Sequence, residues 1–136
     1  MRYVAIGAAL LAVSACAHTN DNAEVRQISR SNAAQATADA ARIATGAETD
    51  PDSRSAACYV LIGLSRAAGG NSGFDAVAMQ QAQSQLMVDL RSRLSRAEAD
   101  QFLASTQAIL TPAAAAERDR AANWCVRNAP ETDPEG

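Results

Sequence analysis

"AACYVLIGL", residues 56–64, carries apolar side chains at nearly every position. A helix that is apolar nearly all the way round belongs at the centre of a domain rather than on its surface. A strand is the alternative, but alanines precede the stretch, SRAAGG follows it, and the sequence offers no candidate partner strand. We therefore predict a central helix, with Asp50 as its N-cap and Pro51 in its first turn.

Three more helices are expected after the central one. Their start signals are Ser72 with Asp75, Ser95 with Glu98, and the pair Thr111 and Pro112. Met and Leu residues between Met79 and Leu94 form a stripe on the first of these helices. We interpret that stripe as core, with a partner groove that uses methionine adaptability as the alternative. The predicted fold class is all-α, a small bundle of four or five helices.

The predicted domain covers residues 23–129. Within it, residues 23–45 form a helix whose apolar stripe is thin, so this segment is expected to be a loosely docked arm. Residues 130–136 are proline-rich and acidic, and we expect a disordered tail there.

The N-terminal segment has the pattern of a targeting peptide. Met1 and Arg2 give a short basic start, and the uncharged apolar run from Val4 to Val13 follows it. That run is shorter than the roughly 20 apolar residues that span a bilayer. The run ends in Val13-Ser14-Ala15-Cys16, which resembles the lipobox of bacterial lipoproteins.

The lipoprotein resemblance implies that residues 1–15 are removed as a signal peptide. It also implies that Cys16 becomes the first residue and is lipidated, with residues 16–22 as a tether to the domain. Several acyl chains would hold the protein firmly at the bilayer, since each buried methylene contributes about 0.8 kcal/mol. Because Ala17 rather than an aspartate follows Cys16, the resemblance implies the periplasmic side of the outer membrane, with the inner membrane as the alternative.

Two cysteines lie in the predicted domain, Cys58 and Cys125. The implied compartment is oxidising, which favours a disulfide between them. Closing a loop of this length stabilises a fold by about 4 kcal/mol in the chain-entropy model. Reactive thiols are the alternative, but they usually show a Cys-x-x-Cys pair or a neighbouring His or Lys, and neither is present.

The charged residues argue against nucleic acid and against common catalytic sites. The net charge is −3, and removing residues 1–15 takes away one arginine and no acid, which makes it about −4. A mildly acidic protein has no electrostatic basis for binding phosphate backbones. The chain has no lysine, and its only histidine, His18, lies in the predicted tether. We expect no catalytic residue, no metal, no cofactor and no enzyme activity.

Tyr59 and Trp124 are the candidate partner-binding residues. Each adjoins a cysteine and lies off the main apolar stripe of its helix, so a disulfide would bring both rings near the bridge. They could simply cover the disulfide and pack on the first helix, or Trp124 with Tyr59 beside it could anchor a partner.

The expected function is a membrane-anchored, non-enzymatic accessory or adaptor protein of the cell envelope that binds another envelope protein. One alternative is an immunity or inhibitor protein against a periplasm-acting toxin or enzyme. The tyrosine-containing helix after Cys58 and the late second cysteine, Cys125, are loosely similar to small helical immunity proteins of type VI secretion. That resemblance assigns no residue a role. Another alternative is an acid-stress holdase chaperone.

Overall fold

The computed structural model describes residues 4–69 and 73–131, with side chains from residue 23 onward. The described residues form five helices and no strand, which confirms the all-α prediction. The helices are α1 (Val4–Ala44), α2 (Pro51–Ala67), α3 (Ala76–Arg93), α4 (Arg96–Leu110) and α5 (Ala115–Arg127).

Helix α2 is the central element, as its apolar sequence predicts. It packs against α3, α4 and α5. Ala40 and Ile43 of α1 belong to the same buried cluster. Leu61 and Ile62 of α2 have no exposed surface, so both side chains contribute fully to the hydrophobic stabilisation of the core.

The stripe on α3 is core, as we interpreted it. Met79, Leu86 and Leu90 are buried at the contacts of α3 with the rest of the fold. The opposite side of α3 faces solvent, and Val77 and Val88 are exposed on it.

Two of the predicted helix starts are confirmed. Asp50 accepts a hydrogen bond from the Ser53 N–H at 2.9 Å and precedes Pro51. Ser95 and Glu98 form a reciprocal capping box. These local bonds satisfy N–H groups that a helix start leaves without partners.

Two other helix starts lie later than predicted. Helix α3 starts at Ala76, and Asp75 is its N-cap rather than its third residue, accepting from the Ala78 N–H at 2.7 Å. The predicted cap Ser72 lies outside the described residues. Helix α5 starts at Ala115 rather than at Pro112, after a turn over residues 111–114.

Helix α1 extends further than the sequence patterns suggest. It is continuous from Val4, so the expected start near residue 23 is wrong, because the sequence from Ala8 to Thr45 contains neither Gly nor Pro to end a helix. Ala36, Ala40 and Ile43 are buried, so the last third of α1 docks firmly, whereas Val25 and Ile28 are exposed.

The chain divides into two compact units, Met1–Asn32 and Ala33–Gly136. The division falls inside the predicted arm, and the core described above belongs to the second unit.

The signal peptide, Cys16, His18 and the tether 16–22 lie outside the residues whose side chains are described, as does the tail from residue 132 onward. Among the described residues, no helix has the length and apolar character that crossing a membrane requires.

Candidate functional site

The disulfide predicted between Cys58 and Cys125 is present. It joins α2 to α5 with a Cα–Cα distance of 5.4 Å, within the usual range for a disulfide. Both cysteines are buried in the main core cluster. The bridge thus lies in the packed interior, which makes it a structural cross-link in this fold rather than a surface group.

Trp124 lies against the end of α1. Gly46 adopts a left-handed conformation with φ of 72°, and its N–H donates to the Ile43 carbonyl at 3.0 Å, as in a Schellman cap. A Cβ on Gly46 would lie 3.3 Å from Cζ2 of Trp124. The half-buried ring therefore packs on the backbone of the turn that ends α1.

Tyr59 lies in different surroundings. It is half-buried, packs against the main core cluster, and lines a hollow of about 370 Å³ with Gln83 and Met87 of α3. The Gln83 side chain donates to the Tyr59 carbonyl at 3.0 Å. Each ring thus packs on a separate element, which favours the interpretation that they cover the core. The partner-anchor hypothesis for Trp124 and Tyr59 stays a prediction.

A groove with a largely apolar lining lies between α1 and α4. It has a volume of about 310 Å³. Ile43, Ala57 and Leu110 form its buried part, while Phe102 is half-buried and Ile109 is 57% exposed. We name this feature the α1/α4 groove. An exposed isoleucine beside a half-buried phenylalanine offers apolar surface that the fold itself does not bury.

The rims of the α1/α4 groove differ in charge. Asp39, Arg42 and Glu48 line the α1 side, and Arg42 pairs with Glu48 at 3.4 Å. The Asp39 carboxylate accepts a hydrogen bond from the Gln35 amide at 3.1 Å and has no ion pair within the described residues. The α4 side presents the uncharged Ser105 and Thr106. The groove is therefore apolar at its base with one net negative charge along its rim.

The sequence analysis did not identify the α1/α4 groove. The sequence does contain a signal for it, because α4 carries two pairs of apolar residues with the same seven-residue spacing. These pairs are Phe102 with Ile109 and Leu103 with Leu110. Leu110 is buried in the main core cluster and Phe102 packs against the smaller one, whereas Ile109 stays exposed at the groove.

The strongest electrostatic cluster joins α2 to α3. The Arg93 guanidinium donates to both carboxylate oxygens of Asp89, at 2.7 and 3.0 Å, and also pairs with Asp52. The buried Ser55 hydroxyl donates to Asp89 at 2.7 Å. The hydrogen bonds from Arg93 hold the pKa of Asp89 below its ordinary value, although partial burial opposes the shift.

This cluster is fully paired, so it fastens two helices and leaves no group poised for proton transfer. The described residues contain no set of three or more His, Cys, Asp or Glu side chains that could hold a metal ion.

Comparison with protein-family models, with curated proteins and with solved structures found no match to this chain.

Proposed function

We propose that this protein is a lipid-anchored, non-enzymatic adaptor of the bacterial cell envelope. The observation that carries the location is Val13-Ser14-Ala15-Cys16 at the end of the apolar segment, in its resemblance to the lipobox. The buried Cys58–Cys125 disulfide supports the proposal, because such bonds form and persist in oxidising compartments. The outer membrane is the proposed destination, since Ala17 follows the cysteine.

The anchor is tested by comparing wild type with Cys16→Ser after growth with a labelled fatty acid. We expect label and membrane association in the wild type and neither in Cys16→Ser, because the acyl chains need the thiol. Ser14→Ala is the matched control, since it keeps a small residue in the motif and should be labelled normally. Label that persists in Cys16→Ser would refute the lipid anchor.

For the adaptor role, we propose the α1/α4 groove as the binding surface. Its proposed ligand is a helix of an envelope protein that inserts one large apolar side chain between Phe102 and Ile109. A basic residue on that helix would pair with Asp39, the rim carboxylate without an ion pair among the described residues. Helices that lay an apolar face in a groove are a recurring mode of recognition.

A photoreactive amino acid at Ser105, which lines the groove, tests this binding surface in living cells. We expect a cross-link that maps to an apolar helix with a basic residue in one envelope protein. The cross-link should be lost with Ile109→Asp and weakened with Asp39→Asn. The same photoreactive group at Arg120 on α5, whose side chain is 67% exposed, is the matched control and should capture nothing comparable.

Ile109 is largely exposed, so Ile109→Asp should leave the protein folded, with a slightly lower thermal unfolding temperature because an acidic residue in the last turn of α4 opposes the helix dipole. If Ile109→Asp keeps the cross-link, the groove is not the binding surface. If Trp124→Ala abolishes the cross-link while the protein stays folded, Trp124 rather than the groove anchors the partner.

A further inference from the structure

A hollow of about 750 Å³ lies between the second half of α2 and the start of α3. The buried Met79 and the half-buried Phe74 line it, so part of its wall is apolar. We name this feature the α2/α3 hollow. Its volume falls in the range of about 300 to 1,000 Å³ that is usual for the binding sites of small molecules.

Small residues of α2 leave this space open. Gly63 and Ala67 both line the hollow and are four positions apart, so they lie about one turn from each other on the same side of α2. A Cβ on Gly63 would lie only 3.0 Å from Nε2 of Gln83, so a larger residue there would displace the Gln83 side chain. At these two positions α2 presents only backbone and one methyl group to the hollow.

Two opposite charges line the same hollow without pairing. Arg66 lies on α2, and Asp75 is the N-cap of α3. Neither side chain forms an ion pair with the other or with any other described residue. The hollow thus offers one positive and one negative group, which together complement a ligand that carries both charges.

Hydrogen bonds hold the Arg66 side chain in place. Its Nη1 donates to Oε1 of Gln83 at 2.6 Å. The Gln83 amide in turn donates through Nε2 to the Tyr59 carbonyl at 3.0 Å, so both ends of this amide are bonded to α2. A guanidinium has further N–H donors, and these remain for a ligand.

The Asp75 carboxylate also has an oxygen to offer. Its Oδ1 accepts a hydrogen bond from the Ala78 N–H at 2.7 Å and caps α3. An ionised carboxylate has a second oxygen that can accept from an ammonium group while this cap stays intact.

We propose that the α2/α3 hollow binds a dipeptide with apolar side chains. The ammonium group of the dipeptide pairs with Asp75, its carboxylate pairs with Arg66, and its side chains contact Phe74 and Met79. Two residues of extended chain span up to about 7 Å, so the terminal charges can reach two protein groups that do not pair with each other. This site goes beyond the proposed adaptor role and depends on neither Cys16 nor the α1/α4 groove.

Titration of the dipeptide Leu-Leu into purified full-length protein carrying Cys16→Ser tests the site. Nuclear magnetic resonance of the protein's amide groups measures both the affinity and the place of binding. We expect a dissociation constant of about 0.1 to 1 mM, as is typical of a ligand of this size. The largest amide shifts should fall at Gly63, Ala67 and Met79, which line the hollow.

Two blocked dipeptides test the charges of the ligand. N-acetyl-Leu-Leu lacks the ammonium group, and Leu-Leu amide lacks the carboxylate. Each should bind about tenfold more weakly than Leu-Leu, because each loses a hydrogen bond between charged groups.

Arg66→Gln and Asp75→Asn assign each charge of the ligand to one residue. Arg66→Gln should weaken Leu-Leu binding about tenfold and then bind Leu-Leu and its amide equally well. Asp75→Asn should likewise bind Leu-Leu and N-acetyl-Leu-Leu equally well. Asparagine is also a favoured N-cap, so α3 should start as in the parent protein.

Arg91→Gln and Asp100→Asn are the matched controls. They make the same changes at residues outside the hollow, in the last turn of α3 and on α4. Both should bind Leu-Leu as the parent protein does. All four substituted residues are exposed, so circular dichroism should show all four variants folded.

Three outcomes would overturn the proposal. Folded protein whose amide signals do not shift with Leu-Leu has no such site. Free leucine that binds as tightly as Leu-Leu would show that two residues are not needed to span the charges. A blocked dipeptide that loses as much affinity in the corresponding variant as in the parent protein would place the partner of that charge elsewhere.

Discussion

At the scale of single residues, Thr37 shows how one side chain can join two parts of the chain. Its hydroxyl donates to the Ala33 carbonyl at 2.7 Å within α1 and accepts from the Ala114 N–H at 2.9 Å. Ala114 is the N-cap of α5 and has no side chain that could cap the helix itself. The hydroxyl of Thr37 thus satisfies a backbone donor at the start of α5 from 77 positions away.

Thr37→Val is expected to lower the free energy of unfolding by about 1 kcal/mol, because valine keeps the shape but leaves the Ala114 N–H without this partner. Thr106→Val is the matched control, since the Thr106 hydroxyl also donates four residues back, to the Phe102 carbonyl at 2.8 Å, in a bond that stays within α4. Urea unfolding of both variants measures the difference. Equal effects would show that the bond to Ala114 contributes nothing.

At the scale of helices, Arg93 connects α2 to α3. It lies between Asp89 of its own helix and Asp52 in the first turn of α2, and Ser55 adds a second bond from α2 to Asp89. The pairing also raises the pKa of Arg93, through hydrogen bonds to Asp89 and then Asp52. Partly buried bonds to charged groups contribute more than exposed ion pairs, so this cluster should be measurable by substitution.

Asp89→Asn should lower the free energy of unfolding by about 1 to 2 kcal/mol at pH 7, a modest value because the carboxylate is 28% exposed. The folded pKa of Asp89 lies below its ordinary value of 3.8, so its contribution is fully present above that pH. The contribution is lost as the pH falls through the lowered pKa. The difference between wild type and Asp89→Asn should therefore shrink below about pH 4.

Chemical unfolding of both proteins between about pH 2.5 and 7 would record this convergence, because that range brackets the titration of carboxylates. Asp100→Asn is the control, because it removes an exposed carboxylate of α4. A constant difference between wild type and Asp89→Asn across the range would contradict the assigned role of the Asp89 charge.

At the scale of the whole molecule, the disulfide joins the central helix to the last one. Cys58 and Cys125 are 67 positions apart, so the bond closes most of the domain into one loop. The domain has few aromatic residues, and small cores gain much of their stability from such cross-links. The fold should therefore depend on the bridge more than a larger domain would.

Replacing both cysteines, Cys58→Ala with Cys125→Ala, should lower the free energy of unfolding by about 4 kcal/mol on the chain-entropy model. Guanidinium unfolding followed by circular dichroism measures this loss. Wild type in reductant provides a comparison, and it should resist reduction until it unfolds, because both cysteines are buried. A double variant as stable as the wild type would mean that the core alone holds the domain.

The sequence by itself determined the all-helical class, the central position of α2, the caps at Asp50 and Ser95, and the Cys58–Cys125 pairing. These features depend on local patterns or on the small number of cysteines, so they can be read from neighbouring residues. The sequence also carries the lipobox-like motif at Cys16, from which the proposed envelope location follows.

Only the tertiary structure decided where α1 docks, where Trp124 and Tyr59 pack, and which apolar side chains stay exposed. Ala36 and Ile43 are buried while Ile28 is not, and Leu110 is buried while Ile109 is not. Residues of similar hydropathy thus end in opposite surroundings, because burial depends on which neighbouring helix covers each side. That choice is made by packing between segments distant in sequence, and no local pattern contains it.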